Sequence, residues 1–163
     1  MVKIKENDPK PWTVLKSEYL FQRPWLTARR DHVRLPSGVE HPEFYILEYP
    51  NWVNVIAITK EKKFVMIRQY RHAIGETAFE MVAGVIDPED KDPEMAARRE
   101  LMEETGFGGG EWRLFSKFAP NTSAMTNCSY TYLATDVEYL GERHLEPTED
   151  IVVYELEEAE VRE

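Results

Sequence analysis

Short runs of alternating apolar and polar residues fill most of this chain, the two-residue period of half-buried β-strands. In Trp12–Phe21 and Trp25–Leu35, Val14, Leu15, Tyr19, Leu20, Leu26 and Val33 sit among polar neighbours, and each stretch predicts a strand. Pro36-Ser37-Gly38 marks a turn before a third strand at Phe44–Tyr49. Trp52–Thr59 and Phe64–Tyr70, joined by Lys60-Glu61-Lys62-Lys63, read as a hairpin, and Thr77–Val82 as a further short strand. Three more strands are expected at Trp112–Ala119, Asn127–Thr135 and Ile151–Leu156, with Gly108-Gly109-Gly110 as a flexible loop.

One helix interrupts the strands. Asp92 supplies an N-cap, Pro93 a first-turn proline and Gly106 a stop, and Glu94–Thr105 between them holds good or acceptable helix formers. The acidic tail Glu157–Glu163 predicts one or two last helical turns, and residues 1–10 a loose lead-in. No internal repeat is visible. The pattern is α+β: a mixed sheet with one strongly specified helix.

Composition narrows what such a fold can do. At 163 residues the chain makes one domain, two at the limit, with enough length for a sizeable core. Lys plus Arg is 20 and Asp plus Glu is 30, a net charge of −10 that repels nucleic-acid backbones. An anionic substrate would need a local basic pocket or bridging cations. Cys128 is the only cysteine, so no intrachain disulfide forms, and it reads as a packed hydrophobe. The N-terminus has no apolar stretch of signal-peptide length, and runs such as Met81 to Ile86 are too short to cross a bilayer. The expectation is a cytoplasmic protein with no membrane or nucleic-acid partner.

The chemistry concentrates on the helix. Glu100, Glu103 and Glu104 fall within an arc of about 100° on one face. Three like charges so close cost free energy unless a cation sits among them. Mg²⁺ and Mn²⁺ prefer carboxylate oxygens, and a helix holds such ligands at fixed spacing. A solvated acidic face is the plainer reading. Against it, the acids sit at the helix C-terminus, where the macrodipole disfavours them. Upstream, Glu80-Met81-Val82-Ala83-Gly84 reads as a strand ending in a small-residue loop whose carbonyls could complete a metal site.

Gly84 followed by Arg99-Glu100-Leu101-Met102-Glu103-Glu104-Thr105-Gly106-Phe107 resembles the signature of the Nudix hydrolases. The second half matches at every defined position. The first half departs: the spacing is one residue too long, the two counts reach Asp90 and Lys91, and the upstream glutamate has no assigned equivalent. Glu80–Gly84, Arg68-Gln69-Tyr70-Arg71, Glu149-Asp150-Ile151 and the β-rich N-terminal extension resemble the ADP-ribose pyrophosphatase branch.

The resemblance implies a Nudix fold, a mixed β-sheet sandwiched between helices, over residues 44–163, with residues 1–43 as a β-rich dimerisation element. It implies divalent-metal-dependent hydrolysis of ADP-ribose to AMP and ribose 5-phosphate, with Mg²⁺ as cofactor or Mn²⁺ in its place. Glu100, Glu104 and the carbonyl of Ala83 would bind metal, Glu103 would be a further ligand or its support, and Arg99 would hold these carboxylates by ion pairing. Glu149 matches a loop glutamate that serves as base or further ligand; an exposed loop acid is an even alternative. Arg68 and Arg71 bracket a strand end near the site, and three-residue spacing points only one of them inward; the branch favours Arg71. Trp25 and Trp52 are candidates for stacking on adenine, with packing in a core or dimer interface equally open. A homodimer is expected. The rivals are another nucleoside diphosphate sugar (ADP-sugar or GDP-sugar) as substrate, a nucleotide-sensing module without turnover, and an interaction domain built on the N-terminal strands.

Overall fold

The predicted alternation becomes alternating burial in strand β4 (Trp52–Thr59), where Val53, Val55 and Ala57 are sealed and the residues between them are half-buried. In the computed structural model, which describes residues 5–163, the chain divides into two compact units. The expected lead-in over residues 1–10 lies partly outside the described residues; residues 8–12 form neither strand nor helix. No helix among the described residues is long and apolar enough to cross a membrane.

The first unit runs to Tyr49 and takes in Pro120–Asn127. Strands β1 (Thr13–Arg23), β2 (Leu26–Arg34) and β3 (Glu40–Glu48) form an antiparallel meander in that order. β3 begins four residues before the stretch that its apolar pattern predicts, through Pro42, which an edge strand tolerates. Leu47 donates to the Ala124 carbonyl at 2.7 Å and accepts from Thr126 at 3.2 Å, so the 120–127 segment is stitched to the end of β3. Every residue of β1 is exposed, Val14, Leu15, Tyr19, Leu20 and Phe21 among them.

The second unit holds an eight-stranded mixed sheet. The expected hairpin is present: β4 and β5 (Phe64–Arg71) pair antiparallel, with Lys62 in the left-handed region at φ 67° to close the turn. The single strand expected at Thr77–Val82 is instead two. β6 (Glu76–Glu80) pairs with β5, and after Met81 the chain changes partner, so that β7 (Val82–Val85) pairs with β4. Ala83 and Gly84, read from sequence as a loop, therefore lie within a strand, opposite Asn54 and Val53.

Helix α1 (Pro93–Thr105) starts and stops where its caps require: Asp92 accepts from the Met95 amide at 2.9 Å, and Gly106, at φ 77°, donates to Met102 O at 2.9 Å. The glycine stretch after it is ordered, with β8 (Phe107–Gly108) pairing and Gly109 and Gly110 turning at φ 68° into β9 (Glu111–Phe118). β10 (Ser129–Tyr139) runs parallel to β4 and antiparallel to β9, past a bulge at Asp136 that sequence alternation does not anticipate. β11 (Val152–Leu156) closes the other edge against β5, and α2 (Glu158–Val161) is a single turn. Ala96, Ala97 and Leu101 of α1 pack on Val53, Val55, Val65, Ile67 and Val82, a core that fixes the helix over β4 and β7. The α+β mixed sheet expected from the sequence is thus present, its helical layer supplied chiefly by α1.

Asp92→Ala should lower the free energy of unfolding by about 1 kcal/mol through loss of the N-cap. Urea titration should show a lower midpoint with an unchanged slope.

Candidate active site

The buried face of α1 that carries Ala97 and Leu101 also carries Glu104, which is only 4% exposed. A carboxylate there needs partners. Ala83 supplies one backbone hydrogen bond, yet Oε2 has no hydrogen-bond partner among the described residues. Burial, reinforced by the charges of Glu100 and Glu149, pushes the Glu104 carboxyl up to about 8, with Arg71 pulling the other way.

Glu100, one turn earlier, lies against β7. A Cβ on Gly84 would overlap its carboxyl group, so glycine is what lets a helix side chain rest on the strand backbone. Burial raises Glu100 to about 7; Arg99 opposes the shift, while Glu103 and Glu149 add to it.

Arg99 ties these parts together. Its Nη1 donates to Glu100 Oε1 at 2.9 Å and Glu103 Oε2 at 3.0 Å; its Nη2 donates to the Val85 carbonyl at 3.0 Å and Asp90 Oδ2 at 2.9 Å. Nε reaches Asp90 Oδ1 at 3.4 Å, and Asp87 lies 3.3 Å from Nη2. Asp90, its side chain 6% exposed, is held below the usual carboxylate range by the Arg99 hydrogen bond. Among the described residues no three His, Cys, Asp or Glu side chains converge on one point as a closed ligand set. Glu100 Oε1 and Glu103 Oε2 are turned to Arg99 instead.

The structure brings Ala83, Arg99, Glu100, Glu103 and Glu104 together on β7 and α1. Glu149 joins them electrostatically from the 140–150 loop, where its Oε2 accepts from the Glu146 amide at 2.8 Å. That loop is footed by the His144 amide on the Glu103 carbonyl at 2.9 Å and by Arg143 on the Ile151 carbonyl at 3.0 Å. Of the two arginines, Arg71 is within electrostatic reach of Glu104, whereas Arg68 lies over the Phe79 ring at 5.3 Å, as the three-residue spacing implies. Trp52 is half-buried in β4, opposite Val85 and Ser129, and Trp25 is 71% exposed in the β1–β2 turn of the first unit. Sequence reasoning missed two acids, Asp90 and Glu80. Asp90 was reachable from the spacing, being one of the two counts that the lengthened loop left open. Glu80 carries no such signal: only the observed register puts it on the same face as Arg71.

A model of the NUDIX domain matches residues 49–163, and a model of the nucleoside diphosphate sugar hydrolase N-terminal domain matches residues 12–47. The chain is 33% identical over 120 residues to the methanol dehydrogenase activator of Bacillus methanolicus, covering 74% of this chain and 64% of that protein. It is 30% identical over 128 residues to the ADP-ribose pyrophosphatase of Mycobacterium tuberculosis, covering 78% of this chain and 61% of the relative. The ADP-ribose pyrophosphatase of Bacillus subtilis is 30% identical over 143 residues, 87% of this chain and 76% of its own. The chain thus spans less than two thirds of the length of the first two. A crystal structure of an ADP compounds hydrolase shares the fold at a TM-score of 0.80 and 21% identity, over 96% of this chain and 84% of that one.

The raised carboxyls make a signed prediction. An unfolded glutamate ionises near 4.5, while Glu104 in the folded protein holds its proton to about 8, so the folded state binds more protons between those values. Its contribution is therefore lost as pH rises through that window. In EDTA, Glu104→Gln should gain melting temperature relative to the parent between pH 5 and pH 8, which calorimetry at stepped pH would measure.

Proposed function

Because the chain belongs to the Nudix hydrolase family, we propose that it hydrolyses the pyrophosphate bond of ADP-ribose, releasing AMP and ribose 5-phosphate, with Mg²⁺ or Mn²⁺ as cofactor. The observation that carries this reading is the buried, half-satisfied carboxylate of Glu104 within a cluster of acids on one helix face.

The residues present fit a hard divalent cation. All the donors are oxygens, two of the carboxyls are held protonated to near neutral pH by burial and neighbouring carboxylates, and Glu104 Oε2 has no hydrogen-bond partner among the described residues. Glu100, Glu104 and the carbonyl of Ala83 would hold the ion, with Glu103 as a further ligand or support. When bound, such an ion offsets the charge of the pyrophosphate and lowers the barrier to attack by water. Arg99 keeps Glu100 and Glu103 aligned on the helix by ion pairing. Glu149, on its footed loop, accepts the proton of the attacking water. Arg71 takes a phosphate oxygen of the substrate, and Trp52 offers its ring to the adenine.

A second reading, another nucleoside diphosphate sugar as substrate, is favoured by the match of residues 12–47 to the N-terminal domain of nucleoside diphosphate sugar hydrolases. The first unit also supports a homodimer. The apolar side chains of β1 are exposed together with Trp25, and a second copy is the partner proposed for them.

Chromatography of products from ADP-ribose, ADP-glucose, GDP-mannose, NADH, a diadenosine polyphosphate and dGTP, with and without EDTA, tests the reaction. AMP and ribose 5-phosphate from ADP-ribose, abolished by EDTA, is the expected result; turnover of ADP-glucose or GDP-mannose alone would select the second reading, and turnover of NADH, the diadenosine polyphosphate or dGTP alone, or of none, would remove both. Glu104→Gln should reduce kcat at least by the roughly 100-fold that indirect supports of a metal are worth, with the fold intact by circular dichroism. Size-exclusion chromatography with light scattering at micromolar concentration should report twice the 19.1 kDa chain mass, and a monomer would remove the dimer.

A further inference from the structure

Arg71 ends β5 directly opposite Glu76 of β6, the neighbour that cross-strand geometry offers it as an ion-pair partner. It does not take it. The guanidinium runs back along the strand to Glu80, which is paired four positions away with Ile67, and meets it side-on: Nε to Oε1 at 2.8 Å and Oε2 at 3.0 Å, and Nη2 to Oε2 at 2.5 Å. Side chains of Ile67, Gln69 and Arg71 share one face of β5, and Glu80 and Ala78 face the same way from β6. Glu80 is also the last residue before the chain crosses to β7, where Ala83 hydrogen-bonds Glu104. Choosing Glu80 over Glu76 therefore swings the guanidinium toward the acid cluster and into electrostatic reach of Glu104.

The fork geometry decides what is left over. Arginine has five N–H donors in one plane, and Glu80 engages the Nε and Nη2 edge. Nη1 makes no hydrogen bond to any described residue, so its two donors remain for a ligand. A side chain this long would otherwise sample many rotamers, and a two-point carboxylate clamp removes that freedom before binding.

We infer that Glu80 is a positioning residue: it holds Arg71 along β5 so that the free Nη1 edge meets a phosphate oxygen of a nucleoside diphosphate beside Glu104. The inference rests on the phosphate-binding role given to Arg71 above. Glu80 itself touches no substrate; two carboxylate charges beside a pyrophosphate would repel it, and the bond to Arg71 neutralises this one.

The test compares the parent with Glu80→Gln, Arg71→Ala, the double variant and Glu76→Gln. Each is assayed for steady-state turnover of ADP-ribose, for calorimetric binding of ADP-ribose in EDTA, and for melting temperature. Glu80→Gln should raise KM and the dissociation constant by about tenfold while kcat stays within about threefold, because a two-oxygen ion pair becomes a hold by one uncharged amide oxygen. On the Arg71→Ala background the same substitution should add less than about twofold, since the two residues act as one unit. Glu76→Gln should change neither constant. Full additivity of Glu80→Gln with Arg71→Ala, a loss confined to kcat or to melting temperature, or an equal effect of Glu76→Gln would each overturn the inference. If ADP-ribose binds but is not turned over, the hydrolase reading fails while the binding cycle still decides the role of Glu80. If the parent binds no ADP-ribose, both fall.

Discussion

One guanidinium joins strand, loop and helix at the acid cluster. Arg99 reaches the end of β7 through the Val85 carbonyl, the connecting loop through Asp90, and its own helix through Glu100 and Glu103. In a chain of net charge −10 that packs several carboxyls at the end of one helix, a fixed, permanently charged planar donor keeps strand, loop and helix in register. A lysine could not do this, because a single ammonium cannot serve a carbonyl and three carboxylates in one plane. The macrodipole of α1 works against those acids, and Gly84 lacks the side-chain carbon that would have kept Glu100 off the sheet.

The cluster also shows a consistent electrostatic pattern. Asp90, which Arg99 holds at both oxygens, sits below its ordinary range, whereas Glu100 and Glu104, which burial and neighbouring charge dominate, sit well above it. Asp90 thus serves the scaffold alone, while Glu104, and Glu100 through the oxygen that Arg99 leaves, remain in need of a counter-charge. That division is what suits the site to a small hard cation and an anionic ligand together.

Much of this was legible in the sequence, for local reasons. The bounds of α1 followed from Asp92, Pro93 and Gly106 because caps act through neighbouring residues, and the helix period alone placed the three glutamates on one face. The hairpin between β4 and β5 was equally local. What could not be read depended on which strand lies beside which. The apolar pattern of Thr77–Val82 is continuous, and nothing in it marks Met81 as the point where the chain leaves β5 for β4. β3 gained its first four residues from pairing with β2 rather than from apolar pattern. Within the site, Asp90 was obscured by a one-residue change of spacing, and Glu80 by a choice of partner that cross-strand proximity alone would have given to Glu76.

The connection between β7 and α1 has its own consequence for how this architecture tolerates change. Asp87 and Asp90 close a turn on each other, the Asp90 amide on the Asp87 carbonyl at 3.0 Å and the Asp87 amide on Asp90 Oδ2 at 3.0 Å, and the turn is moored to Arg99. The extra residue that lengthens this segment is absorbed in a turn whose far end is set by the cap at Asp92, so the glutamates downstream do not rotate. The stretch from Glu80 to Gly84 has no such slack. It carries, within five residues, the clamp on Arg71, the crossing between strands and the glycine beneath Glu100. A change of length in the turn leaves the glutamates on α1 facing as they do, while a single insertion in the strand crossing would throw both edges of the site out of phase at once.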